Sequence, residues 1–209
     1  RISNIGIQNF RDKIVLDFGC GGGSFLDSIK GVAKKTIGIE PNVEYLDSLI
    51  SKGHEIYRSI DECKKLYGTI DIVISFGVIE HIKNPLEYLK SSFDLLKPAG
   101  KLYLETDNLD DILFQFNITD FNSFYYRTVH NWYFDKNSLK LLGEKAGFSF
   151  VQPGFRHGYG LSNTMNWLNL KSPKGNDRLP FLNETLDYHW KKTLEKEGFA
   201  ELLYFVLQK

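Results

Sequence analysis

Cysteine is scarce in this chain of 209 residues, which carries only Cys20 and Cys63, without the spacing of metal ligands. That excludes a disulfide scaffold and a thiolate zinc site. Cys20 falls inside a glycine-rich stretch that a ligand must approach, so a disulfide there would obstruct it, and a reducing, cytoplasmic setting is expected. An excess of one charge is also missing: 26 lysines and arginines balance 26 aspartates and glutamates. With no basic run interleaved with aromatics, long-range attraction to nucleic acid or an anionic membrane is not encoded. The expected partner is a small-molecule substrate, with neither nucleic acid nor membrane. No apolar stretch is long enough to span a bilayer, and there is no signal-peptide pattern, internal repeat or low-complexity tract. The first residue is Arg1 rather than methionine, so an N-terminal segment is expected to be missing. What remains is 42% hydrophobic, enough for one well-buried domain over 1–209.

The densest signal runs from Lys13 to Leu26, where an apolar strand ends in Asp17 and gives way to Gly19, Gly21 and Gly23 before a helical start at Ser24. The glycines let the backbone turn tightly against a ligand. A dinucleotide fingerprint needs its third glycine where Ser24 stands. A carboxylate at Asp17 would also repel a pyrophosphate and attract ammonium and sulfonium charge. Apolar strands then alternate with helical patterns, which predicts an α/β fold with a parallel sheet covered by helices on both faces. Strands are expected near 14–18, 36–40, 54–58, 71–76, 101–105, 148–152 and 201–208. Helices are expected near 23–31, 42–52, 61–66, 84–96 and 135–146.

These landmarks resemble the class I S-adenosylmethionine-dependent methyltransferases. Asp17 to Gly23 matches their acidic-x-Gly-x-Gly-x-Gly motif, and Glu40 ends the second strand. Val78-Ile-Glu-His-Ile82 is similar to the Glu-His signature of the small-molecule branch, and Leu96 to Glu105 matches its Pro-Gly turn and fifth strand. The resemblance implies a doubly wound, seven-stranded, mostly parallel, Rossmann-like sheet with an antiparallel last strand and late lid insertions, over about 107–134 and 157–198. It implies S-adenosylmethionine as cofactor and S-adenosylhomocysteine as product. Asp17, Gly19, Gly21, Gly23 and Glu40 would hold the cofactor, with Ile60 and Phe76 as apolar walls. Asp61 serves equally well as an adenine contact or as the cap of the helix at 61–66.

Methyl transfer to a hydroxyl needs an aligned nucleophile and one base, for which histidine titrates in the right range. His81, in the Glu-His signature, and His130, opening a His-x-x-x-Phe segment, are the catalytic candidates. Tyr125, Tyr126, Arg127 and Trp132 share the aromatic segment with His130, and together with His157 they are the candidate substrate contacts. His54 and His189 read as structural or exposed. Glu105-Thr-Asp-Asn108 resembles part of the metal site of catechol-type methyltransferases, but the acidic residue those enzymes need after the fourth strand is absent, so no metal is expected.

Gly158 to Leu168 resembles a pattern of bacterial surface-polysaccharide and modified-sugar methyltransferases, which implies a hydroxyl of a sugar or nucleotide sugar as acceptor. The alternatives are a phenolic or natural-product O-methyltransferase, a sugar C-methyltransferase, a non-catalytic cofactor-binding subunit, and an aminopropyl transferase. Trp167, Leu168, Tyr188 and Trp190 serve equally well as a pocket cap or as a homodimer contact.

Overall fold

The computed structural model describes residues 5–175 and 177–209, with the side chains of 150–152 left aside. Seven strands form one sheet in the order β3-β2-β1-β4-β5-β7-β6. They are β1 (Ile14–Phe18), β2 (Lys35–Ile39), β3 (Glu55–Tyr57), β4 (Ile70–Phe76), β5 (Leu96–Asp107), β6 (Ser149–Arg156) and β7 (Leu202–Gln208). β7 runs antiparallel to both β5 and β6, and the remaining pairs are parallel. The mostly parallel sheet with its antiparallel last strand matches the expectation from sequence. β7 inserts between β5 and β6, so the two late lid segments rise from neighbouring strand ends.

Alternation along the central strands gives each face of the sheet its own core. Leu16, Phe18, Ile37 and Val73 point into the larger cluster, whereas Val15, Ile72 and Ile74 join Phe10 and Ile29 on the opposite face. The flanking helices begin as their sequences dictate. α1 (Ser24–Ile29) follows left-handed Gly23, and α2 (Leu46–Ser51) follows a short 3-10 turn at Val43–Tyr45. α3 (Pro85–Leu95) has Pro85 in its first turn and Asn84 accepting from the Glu87 N–H. The expected helix at 61–66 is a 3-10 helix, Ile60–Leu66, whose cap position belongs to Ser59.

The late segments are more regular than their sequence suggests. The first holds α4 (Ile112–Gln115), capped by Asp111 accepting from the Leu113 N–H, and α5 (Thr119–Tyr125). α6 (Lys136–Lys145) starts from a capping box between Asp135 and Ser138. The second segment holds α7 (Leu161–Leu170) and α8 (Glu184–Glu197), the latter capped by Asn183. Leu113, Ile118, Phe121, Tyr125 and Trp167 form an apolar cluster of their own that joins the two segments. Fully buried Asn108 anchors the first segment to the sheet, donating to the Gly198 carbonyl at 3.0 Å and the Ala200 carbonyl at 2.8 Å. Among the described residues no helix is long and apolar enough to cross a membrane.

Candidate active site

β1 lies where the strand order reverses, with β2 on one side and β4 on the other. In open α/β sheets the carboxyl ends of such strands bound a ligand crevice. A cleft of about 600 Å³ opens there, lined by Phe18, Gly19, Ile39, Glu40, Ile60 and His81 among others. Asp17 is buried at the end of β1, immediately before the turn. The turn itself is held to β2: the Gly19 N–H donates to the Ile39 carbonyl at 2.8 Å, and the Gly21 N–H donates to Glu40 Oε2 at 2.8 Å. The Asn42 N–H donates to Glu40 Oε1, also at 2.8 Å. Gly23 has φ of 80°, and a Cβ there would stand 2.4 Å from Leu49 Cδ2, so glycine is required for both conformation and space. Burial, with Asp17 and Glu40 nearby, pushes the Cys20 thiol up to about 12 and keeps it unreactive.

The donor set fits S-adenosylmethionine. Two buried carboxylates, Asp17 and Glu40, suit an ammonium group and ribose hydroxyls, apolar Phe18, Ile39 and Ile60 suit an adenine, and no side chain crowds Gly21.

Of the predicted cofactor contacts, the wall residue Phe76 and the adenine contact Asp61 lie outside the lining of this cleft. Phe76 follows Ser75, which meets the Tyr88 hydroxyl at 2.7 Å on the cleft side. Strand alternation therefore turns Phe76 to the opposite face, where its ring meets Phe25 at 5.8 Å. The Asp61 side chain is 85% exposed and faces Lys64, outside the cleft.

A second cavity of about 250 Å³ lies between the late segments, lined by Asp107, Asp111, Tyr125, Arg127, His157, Tyr159, Asn163, Trp167 and Glu201 among others. Three polar atoms of its lining, Tyr125 Oη, His157 Nε2 and Glu201 Oε2, are buried without a hydrogen-bond partner. His157 Nδ1 accepts the Glu201 N–H at 3.1 Å, which leaves Nε2 carrying the ring proton in the neutral tautomer. Burial pushes Asp111 and Glu201 up to about 7, and burial, helped by Lys191 and opposed by Glu195, pulls His157 down to about 4.

Predicted Tyr125, Arg127 and His157 line this cavity, but Tyr126 and Trp132 do not. One residue past the end of α5 at Tyr125, Tyr126 packs against Phe114 and Tyr133. Trp132 is half exposed and donates to the Lys83 carbonyl at 3.3 Å, fastening the segment rather than lining either space. Asp111, Tyr159, Asn163 and Glu201 were not singled out from sequence, and Asp107 entered only as part of the resemblance to a metal site. They converge from three stretches of chain, at and after the end of β5, after β6 and before β7, and no local sequence signal marks that convergence.

The two predicted histidines join the two spaces. His81 lines the cofactor cleft, and its ring meets that of His130 edge-on at 4.7 Å. His130 Nδ1 lies 3.5 Å from Oδ2 of Asp107, which lines the second cavity. Burial holds His130 below the usual imidazole range, with Asp107 opposing, and burial raises Asp107. His54, by contrast, is buried between Thr36 and Asp27, a structural role.

A family described as "Methyltransferase domain" matches residues 1–152. The chain belongs to this family. It carries a methyltransferase domain, with the seven-stranded fold of the S-adenosylmethionine-dependent class. A solved S-adenosylmethionine-dependent methyltransferase from Archaeoglobus fulgidus superposes with a TM-score of 0.66 at 20% identity, covering 100% of this chain and 91% of the other. The 1,6-didemethyltoxoflavin-N1-methyltransferase of Burkholderia thailandensis, solved with S-adenosylhomocysteine, superposes at 0.57 and 14% identity, covering 100% and 74%. At those identities the likeness speaks for the fold. In sequence, the tRNA U34 carboxymethyltransferase of Helicobacter acinonychis is 32% identical in an alignment of 153 residues, with 67% of this chain and 57% of the relative covered. The namesake from Mannheimia succiniciproducens is 30% identical over 161 residues, with 68% and 47% covered. This methyltransferase thus spans about half the length of these curated relatives.

Proposed function

We propose that this enzyme methylates a hydroxyl of a small, polyhydroxylated acceptor of the sugar or nucleotide-sugar type, bound in the cavity between the late segments. Bound in the cleft, S-adenosylmethionine supplies an electrophilic sulfonium methyl. Asp17 and Glu40 hold its charged and ribose ends, while Phe18, Ile39 and Ile60 wall the adenine. The observation that carries the acceptor reading is the trio of unpartnered polar atoms on Tyr125, His157 and Glu201 in one small cavity. Buried groups of this kind cost free energy until a ligand pairs them, and several hydroxyls on one ring would do so. A simple phenol offers too few polar groups, so the aromatic walls alone do not favour it. Arg127 supplies a cation at the cavity edge for an anionic tail. The hydroxyl is activated where the cavities meet, at His81, His130 and Asp107.

A tRNA acceptor is the competing reading, supported by the names of the relatives. Against it stand three carboxylates, Asp107, Asp111 and Glu201, in the cavity wall and a formal net charge of zero. Formation of S-adenosylhomocysteine with a panel of nucleotide sugars, phenols and unmodified tRNA separates the two. Turnover with a nucleotide sugar that falls sharply in Glu201→Gln supports the proposal. Turnover with tRNA or a phenol alone, or with none of the panel while the cofactor product still binds, overturns it.

A further inference from the structure

We infer that Glu80, His81 and His130 form a binding site for one divalent transition-metal ion of the zinc type, at the passage between the cofactor cleft and the acceptor cavity. One ligand atom from each residue lies within 4.8 Å of the others. Two imidazoles and a carboxylate are a set that zinc and its first-row neighbours favour over magnesium or calcium.

The surroundings prepare both rings for a cation. His81 Nδ1 stands 2.9 Å from the Val129 carbonyl, so that nitrogen donates and Nε2 is left with a free lone pair. His130 Nδ1 is buried with no hydrogen-bond partner, and its nearest anion is Asp107 Oδ2, 3.5 Å away. The same tautomer on His130 again leaves Nε2 to ligate. An imidazole whose second nitrogen faces a carbonyl or carboxylate is the usual arrangement around a bound metal. The His130 side chain is only 7% exposed. Glu80 is buried, and its Oε2 accepts from the Thr106 hydroxyl at 2.9 Å, which orients the carboxylate and leaves its other oxygen available.

Backbone contacts fix the two segments that carry the ligands. The N–H groups of Asn131 and Trp132 both donate to the Glu80 carbonyl, at 2.7 and 3.2 Å, and Asn131 Nδ2 donates to the His81 carbonyl at 2.7 Å. The ligands are therefore held in place rather than recruited from mobile chain. Three protein ligands would leave a coordination position open for an exogenous oxygen. A hydroxyl entering there from the acceptor cavity would coordinate the ion and lose its proton to water more readily.

The site stands independently of the acceptor reading, because cation binding is measured without cofactor or acceptor. The experiment titrates metal-stripped protein with Co2+, followed by its visible absorption, and with Zn2+ by calorimetry. Parallel titrations use His81→Ala, His130→Ala and Glu80→Gln. Circular dichroism and thermal unfolding of the same samples report that each variant is folded, and S-adenosylhomocysteine binding by the wild type reports an intact cleft. One equivalent bound, with affinity lowered at least about tenfold in each histidine variant, is the expected result. No stoichiometric binding by wild-type protein that still binds S-adenosylhomocysteine overturns the proposal, as does binding that both histidine variants retain. If S-adenosylhomocysteine binding fails in the wild type while the metal binds, the cofactor reading falls and the cation site stands.

Discussion

In the cofactor cleft the polar groups are already bonded: both Glu40 carboxylate oxygens accept backbone N–H groups, from Gly21 and Asn42, and the Gly19 turn is fastened to the end of β2. In the cavity between the late segments Tyr125, His157 and Glu201 each keep a buried polar atom without a partner. The first region is finished before any ligand arrives, and its shape follows from one short run of chain. The second is assembled from distant segments, and three of its lining residues keep an unpaired buried polar atom. The two spaces share no lining residue, and His130 is the contact between them, its ring against that of His81 on one side and its Nδ1 towards Asp107 on the other.

The sharpest way to break that comparison is to loosen the lid alone. Trp167 is 3% exposed and meets the Phe121 and Phe124 rings at 5.2 and 5.3 Å. Trp167→Ala is expected to cost about 3–5 kcal/mol of local stability by cavity formation. Proteolysis of the late segments should accelerate and acceptor turnover should collapse, with S-adenosylhomocysteine affinity held within about twofold, as for sites without shared partners. A parallel loss of cofactor binding would mean that the lid and the cleft fold as one unit.

The converse experiment removes the cleft carboxylates. Asp17→Ala and Glu40→Ala should each weaken S-adenosylhomocysteine by about 10–100-fold, the value of a charge-assisted hydrogen bond of about 1.5–3 kcal/mol. Calorimetric titration measures it. Unchanged affinity in both variants would remove the cofactor assignment from these residues.

The same division explains what was legible in the sequence. Asp17, Gly19, Gly23 and Glu40 announce themselves because a turn with positive φ and a carboxylate at a strand end are local properties. The lid is not local. Asp111 and Glu201 look like ordinary surface acids in the sequence, and their place beside the cavity depends on β7 entering between β5 and β6. Composition identified the aromatic segment around Tyr125, but not where its helix stops: Tyr125 is the last helical residue and lines the cavity, whereas Tyr126 and Trp132 lie in the irregular chain beyond it and stand outside the lining. Phe76 illustrates the same limit in a strand, where a shift of one residue from Ser75 changes the face.

The segments around the second cavity should also respond to pH. Asp111 and Glu201 have folded pKa values raised to about 7 by burial, from ordinary values of 3.8 and 4.5. Between those limits the folded lid binds more protons than the unfolded chain, so its stability falls as pH rises towards 7. His157, lowered from 6.5 to about 4, acts in the opposite sense over an overlapping range, since its neutral form is favoured in the fold. Two acids against one histidine give a net decline, read as hydrogen exchange of α4 and α7 between pH 4 and about 7. Asp111→Asn with Glu201→Gln should remove most of that decline, leaving His157 and His130, which act in one sense, against Asp107, which acts in the other. A flat profile in the unsubstituted protein would contradict the burial of these acids.

The smallest expected effect tests the edge of the cleft. Asp61 is exposed and paired only loosely with Lys64, 4.0 Å away, whereas its neighbour Ile60 faces the cleft. Exposed ion pairs contribute about 0–1 kcal/mol, so Asp61→Ala should leave stability within that range and S-adenosylhomocysteine affinity nearly unchanged. Ile60→Ala should weaken the same ligand by the lost apolar contact, about tenfold at most for some 1–1.5 kcal/mol of buried methylenes. The pair of titrations separates side-chain recognition of the adenine from a helix start that merely passes beside it. A loss on Asp61→Ala exceeding that on Ile60→Ala would bring the 3-10 helix at Ile60–Leu66 inward over the bound cofactor.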